Sequence, residues 1–141
     1  MLNAFQTELK KGFMENTTSV VLRSAILTDA TVSVAAGTAV KLADYNDGIV
    51  VEAITAATDD IYGIIPFTAK KDAFVGKDVV RVVVDNCVIV MQASAAIAVG
   101  AKLQVVPASM KVVTQTTGTL VGTALQAAAA DGDLIKVELK R

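Results

Sequence analysis

The chain states one pattern twice. Asp78-Val79-Val80-Arg81-Val82 returns, type for type, as Asp133-Leu134-Ile135-Lys136-Val137, and Gly63-Ile64-Ile65 precedes the first as Gly122-Thr123-Ala124 precedes the second. Further upstream, Val34-Ala35-Ala36-Gly37-Thr38-Ala39-Val40-Lys41-Leu42 is echoed by Ile97-Ala98-Val99-Gly100-Ala101-Lys102-Leu103. Three blocks in the same order read as a degenerate internal duplication. The alternative is a β-rich chain of Ala, Val, Gly and Asp that echoes itself for want of other letters. On either account, the fold is assembled from short units punctuated by glycine.

Those units have the period of strands. At the C-terminal end Leu134, Lys136 and Glu138 alternate with Ile135, Val137 and Leu139, while Gly118 and Asp131-Gly132 punctuate the stretch from Thr116 as a hairpin-like closing unit. Val20 to Leu27 is β-branched and apolar. Thr31 to Val34 and Thr38 to Leu42 flank Gly37, and Tyr45-Asn46-Asp47-Gly48 predicts a tight hairpin into Ile49 to Ala53, because Asp-Gly tolerates the positive φ of primed turns. Pro66 should place the strand Ile61 to Ile65 at an edge or end it there. Lys70 to Lys77 reads as a polar loop around Phe74. Val79 to Val84 and Cys87 to Gln92 read as a hairpin through Asp85-Asn86, and Ala93 to Ala98 as one Ala-rich helical turn before Gly100. Lys102 to Val106, Lys111 to Thr114 and Leu120 to Ala124 complete the set, with Pro107-Ala108-Ser109-Met110 as a turn. About ten short strands at this spacing predict an all-β, mainly β fold: a small β-sandwich or barrel with a short Ala-rich helical turn and an N-terminal arm. The domain division is residues 1–18 for the arm and 19–141 for a single β domain.

Composition says where the function has to lie. Apolar residues are 53% and charged ones 19% of the 141, against about 45–50% and 25% in ordinary globular chains. The excess is mostly Ala and Val, with two Tyr, four Phe and no Trp. A domain of this length buries roughly 70% of the surface its unfolded chain exposes. Part of the remaining apolar surface is therefore expected to be covered by another copy or a partner.

Chemistry is narrowed by absence. The chain has no histidine, so Ser-His-Asp and Cys-His arrangements are ruled out and zinc loses its commonest nitrogen ligand. The single cysteine, Cys87, lies in an apolar run; it pairs with no second cysteine in the chain and reads as a small hydrophobe. The acid pairs Asp59 with Asp60, Asp131 with Asp133 and Asp44 with Asp47 sit in turn-like sequence, where Asp serves turn formation. Asp131 to Asp133 and Asp44 to Asp47 are the least implausible calcium loops, but neither has the alternating oxygen ligands such loops use. No phosphate-loop spacing occurs. A net charge of -1 argues against nucleic-acid binding, since neutralising phosphates takes a basic face. The longest uncharged run, Asn86 to Ala101, is too short to span a membrane as a helix, and the N-terminus does not read as a signal peptide. The expectation is a soluble protein that is not an enzyme, with no cofactor and no metal.

The first residues differ from the rest. Leu2, Phe5, Leu9 and Phe13 fall at spacings of three and four, one stripe of a helix over residues 2 to 14, with Glu8, Lys10 and Lys11 off it. A helix this short orders only by docking on something apolar. It is either an arm reaching a neighbouring subunit or another apolar surface, or a frayed terminus.

The run Ala96-Ile97-Ala98-Val99-Gly100-Ala101-Lys102-Leu103, then Gly118-Thr119-Leu120-Val121-Gly122-Thr123-Ala124, then Gly132-Asp133-Leu134-Ile135-Lys136-Val137 resembles the small capsid decoration, or cement, proteins of tailed bacteriophages. The resemblance covers the last third of the chain well and the middle loosely, and the first eighteen or so residues stand outside it. It implies a structural virion protein for head stabilisation, made in the host cytoplasm and carried on the capsid outer surface. Such a protein self-associates as a homotrimer and binds the major capsid protein lattice, with Leu2, Phe5, Leu9 and Phe13 the docking residues we would choose. The competing expectation is a β-sandwich module for a carbohydrate or small ligand, which the scarcity of aromatic residues disfavours.

Overall fold

A computed structural model describes residues 11–12, 14, 21–28, 33–45, 48–67, 73–85 and 87–139. Leu2, Phe5, Leu9 and Phe13 lie outside the described residues, as do Asn46, Asp47 and Asn86 of the predicted turns. Twelve strands are described: β1 (Val21–Leu27), β2 (Val34–Ala35), β3 (Ala39–Tyr45), β4 (Ile49–Ala53), β5 (Gly63–Ile64), β6 (Ala73–Phe74), β7 (Val79–Asp85), β8 (Cys87–Gln92), β9 (Lys102–Val106), β10 (Lys111–Thr114), β11 (Gly122–Ala124) and β12 (Leu134–Leu139). The protein is all-β. No helix occurs among the described residues: the Ala-rich stretch 93–98 runs through bends and two isolated bridges, Ala93 to Val112 and Ile97 to Ala128.

The duplication is visible in the backbone. The first half closes a barrel in the order β1-β4-β3-β5-β7, with β7 returning to β1. The second half forms the sheet β10-β9-β11-β12-β8. It too closes, because Ala93 at the end of β8 bridges Val112 of β10 in parallel, just as Leu27 at the end of β1 pairs in parallel with Val51 of β4. Strands β8, β9, β10, β11 and β12 thus stand for β1, β3, β4, β5 and β7. The turns match as well. Gly37 N donates to Ile65 O at 2.7 Å and Gly100 N to Ala124 O at 2.8 Å; Leu27 N donates to Asp78 O at 3.0 Å and Ala93 N to Asp133 O at 2.8 Å. Val40 pairs with Gly63 as Leu103 pairs with Gly122. Gly63 and Gly122 are required for one reason: a Cβ at either would run into the carbonyl oxygen of the next strand, Val83 O or Glu138 O.

Two further sequence expectations are overturned. Asp85-Asn86 does not close a hairpin, because β7 pairs with β1 and β5 while β8 pairs with β12. The chain leaves one barrel and enters the other at this point. The flanking apolar runs are each satisfied by a distant strand, and the turn signal is indifferent to which partner wins. The loop expected around Phe74 is also different: Ala73-Phe74 is strand β6, paired with β2, and Phe74 is buried in the core. The hairpins β3-β4, β9-β10 and β11-β12 pair as expected. Strand β5 ends before Pro66, although it lies between β3 and β7 rather than at an edge.

Two cores result. Ala25, Leu27, Val40, Val51, Ile65, Phe74, Val80 and Val82 fill the first barrel. Their counterparts in the second barrel, among them Met91, Leu103, Val112, Ile135 and Val137, belong to a larger cluster that also takes in Ala39, Ile54, Ile64 and Val83 from the outer wall of the first. That wall therefore packs against the second barrel. The equivalent wall positions of the second barrel are Lys102, Gln115, Thr123 and Glu138, none of them buried. Gly12 ties the halves together, its N donating to Val90 O at 2.6 Å while its O accepts from Phe67 N at 2.8 Å.

Candidate binding surfaces

The polar groups that sequence inspection singles out are employed locally. Asp59 Oδ2 accepts from Thr55 N at 2.9 Å, Ala56 N at 3.1 Å and Lys41 Nζ at 3.1 Å. These two backbone amides, and then the lysine, hold its carboxyl down at about 2. Asp133 Oδ2 accepts from Ala129 N at 2.8 Å and Ala130 N at 3.2 Å, closing the turn before β12. Asp131 pairs with Lys111 at 2.9 Å, and Asp44 Oδ1 accepts from Tyr45 N at 2.7 Å. Asp44, Asp59, Asp131 and Asp133 thus each serve their own turn or a nearby cation. Among the described residues no group of three or more Cys, Asp and Glu side chains is placed to hold a metal ion. The Cys87 thiol is buried, and that burial pushes it up to about 11, far from the thiolate that nucleophilic chemistry uses.

An open hollow on the first barrel is lined by Lys41, Leu42, Asp60, Ile61 and Tyr62. Tyr62 is its one aromatic ring, and the Lys41 ammonium is already held by Asp59 and, at 4.0 Å, by Glu52. That is a poor match to a saccharide site, which presents stacked aromatic platforms and several convergent polar groups.

The outer face of the first barrel is more distinctive. Val79 on β7 pairs with Ile26 on β1, Ile26 with Val50 on β4, and Val50 with Asp44 on β3. Residues directly across a ladder share a face, and the intervening Val80, Ala25, Leu27 and Val51 are buried inside the barrel. The stripe therefore points outward. Val79 is 69% exposed and Ile26 37%, and Val75 in the adjoining turn is exposed as well. A sequence reader has the strand period to hand here but no means of knowing which face of β1 and β7 is the barrel interior.

No protein-family model and no curated protein matches the chain. Among solved structures it is similar to the N base of the head fiber gp8.5 in bacteriophage phi29, at a TM-score of 0.57 and 18% identity, covering 86% of this chain and 95% of that one. The two share a fold. A match over 86% of the chain cannot be confined to one barrel, since the first barrel and the second each account for about half of the described strands; the tandem arrangement itself is common to both. At 18% identity the likeness is one of backbone architecture.

Proposed function

We propose that this protein is a structural component of a tailed-phage head, held at the capsid surface in several copies and acting by adhesion rather than catalysis. The observation that carries this reading is the shared tandem-barrel fold with the base of a phage head fibre. Two features support it. The chain has no histidine and Asp44, Asp59, Asp131 and Asp133 are committed to turns or ion pairs, whereas apolar side chains are spent on outward surface. Weak identical contacts repeated over a shell add up by avidity, with no catalytic group needed. In this proposal the protein is a decoration or base element that stabilises the head, associates with itself, as a trimer on the resemblance above, and binds the major capsid protein, the residues 1–18 arm carrying Leu2, Phe5, Leu9 and Phe13 into the contact.

Co-sedimentation of the full chain with purified empty phage heads tests this. Saturable binding, with bound copies in a fixed ratio to the capsid subunit, is the expected result. No binding to the heads of the phage whose genome encodes the chain would overturn the proposal. Removal of residues 1–18 is expected to weaken binding, and unchanged binding would dispose of the arm's role.

A further inference from the structure

The two barrels differ at one strand edge. In the second, β8 pairs with β12 along its length and, on its other side, with a short extended piece of the same chain: Met14 bridges Ile89, and Gly12 N donates to Val90 O at 2.6 Å. The matching positions in the first barrel are Arg23 for Ile89 and Ser24 for Val90, since Arg23 pairs with Val82 as Ile89 pairs with Val137, and Ser24 with Arg81 as Val90 with Lys136. Among the described residues no strand continues the sheet beside Arg23 and Ser24, because β4 reaches β1 only at Ile26 and Leu27.

The backbone along that edge is directed outward. Leu27 turns both its groups to the β7 side, its N donating to Asp78 O and its O accepting from Lys77 N, whereas Thr28 N turns the other way to Val51 O of β4. Successive residues of a strand alternate in this respect, so the N–H and C=O of Ser24 and Leu22 face away from β7. In β8 the bonds of Ala93 to Asp133 O and Gly132 N set the same parity, which is why Val90 O is the atom that Gly12 reaches. Backbone groups pointing out of a sheet are a template for one more strand, and the second barrel shows the template filled.

The side chains say which strand would fill the first. Met14 packs against the apolar cluster that contains Ile89, as neighbours across a ladder do. Arg23 and Ser24 are exposed where Ile89 and Val90 are buried. The partner that suits Arg23 across the ladder is an acid, and the same guanidinium turns away basic strands. A second copy's β1 would bring another Arg23 instead. We infer that the edge of β1 from Leu22 to Ser24 is an acceptor site for an extended acidic segment of a different polypeptide, added antiparallel as Gly12 and Met14 are on β8. The inference goes beyond the head-binding reading and does not depend on it.

Titration of the isotope-labelled full chain with synthetic peptides, followed by amide resonances, is the test. The probes are the sequence of residues 9–16, which contains the pieces that fit β8, and the same peptide carrying Met14→Glu or Met14→Lys. The Met14→Glu peptide is expected to shift the amides of Leu22, Arg23 and Ser24 saturably, and the Met14→Lys peptide to bind about fivefold more weakly or worse. In Arg23→Glu the order of the two peptides is expected to reverse, an outcome that loss of stability does not produce. Ser24→Pro removes the outward N–H and leaves the bonds of Arg23 and Ala25 to β7 in place; it is expected to abolish binding, and Ser24→Ala to preserve it. No saturable shift at β1 up to about 1 mM peptide, undiminished binding by Ser24→Pro, or an unchanged peptide order in Arg23→Glu would overturn the inference. Shifts confined to Ile89 and Val90 would mean that peptides only displace the chain's own segment from β8. Shifts at β1 that grow with protein concentration in the absence of peptide would mean that a second copy takes the edge. Either result would overturn it as well.

Discussion

Asp59 shows how far a single side chain is fixed by its surroundings. Its Oδ2 gathers the amides of Thr55 and Ala56 and the ammonium of Lys41, and the carboxyl falls to about 2 from an ordinary 3.8. A carboxyl whose folded value lies below its unfolded one binds its proton more weakly in the native state. Its stabilising effect is complete above the unfolded value and is lost as pH falls through the folded one. Titrating the urea midpoint downward, the advantage of wild type over Asp59→Asn should be constant at neutral pH and shrink between about pH 4 and pH 2. An advantage that persists undiminished at the acid end would show that the amides and lysine do not act on the ionised form.

At the level of elements, the two repeats solve the same turn with different residues. Lys77 has φ 68° and Gly132 has φ 94°, at matching positions one residue before Asp78 and Asp133. Both amides do the same job, Lys77 N donating to Leu27 O at 3.0 Å and Gly132 N to Ala93 O at 2.8 Å. A Cβ at Gly132 meets nothing closer than Gln92 Nε2 at 3.9 Å, so the cost of adding one there is purely that of a left-handed backbone. Gly132→Ala is expected to lower the unfolding free energy by about 1 kcal/mol. Lys77→Gly should change it by less than about 0.5 kcal/mol, since relief of strain offsets a floppier unfolded chain. Equilibrium urea unfolding of the two variants measures both. The repeat that this comparison uses was legible in the sequence, because Asp78 to Val82 and Asp133 to Val137 keep both the turn and the strand period. The alternation in β12 likewise predicts its buried face of Ile135, Val137 and Leu139. The pairing of β7 and β8 was not legible. Local turn chemistry at Asp85-Asn86 competes with long-range partners in β1 and β12 that no sequence window contains. The outward stripe was hidden for a related reason: Ile26 and Val79 read as core letters, and only the closed barrel turns them outward.

In the whole molecule the two barrels are alike in fold and unlike in dependence. Ala39, Ile54, Ile64 and Val83 form an apolar outer wall that is buried against the second barrel. The matching wall of the second barrel, Lys102, Gln115, Thr123 and Glu138, is polar, and Lys102 Nζ donates to Thr123 Oγ1 at 3.1 Å. Without its neighbour the first barrel would expose that wall, and the second would lose the cover over Val121 and Leu139, which line a crevice with Ile61, Ile64 and Val83. Units of about 60 residues bury only about 60% of the surface of their unfolded chains and are marginal even with a closed core. The intact chain is therefore expected to unfold in one cooperative transition, with calorimetric and van't Hoff enthalpies equal. Fragments 1–85 and 86–141 should each lack fixed tertiary structure alone, and mixing them should recover the native far-ultraviolet and near-ultraviolet dichroism, since the wall and crevice re-form without a covalent link. Two resolved transitions in the intact chain, or a second fragment with sharp dispersed amide resonances by itself, would show that the shared core is a contact between finished barrels. In that case the burial of Ala39, Ile54, Ile64 and Val83 would belong to docking rather than to folding.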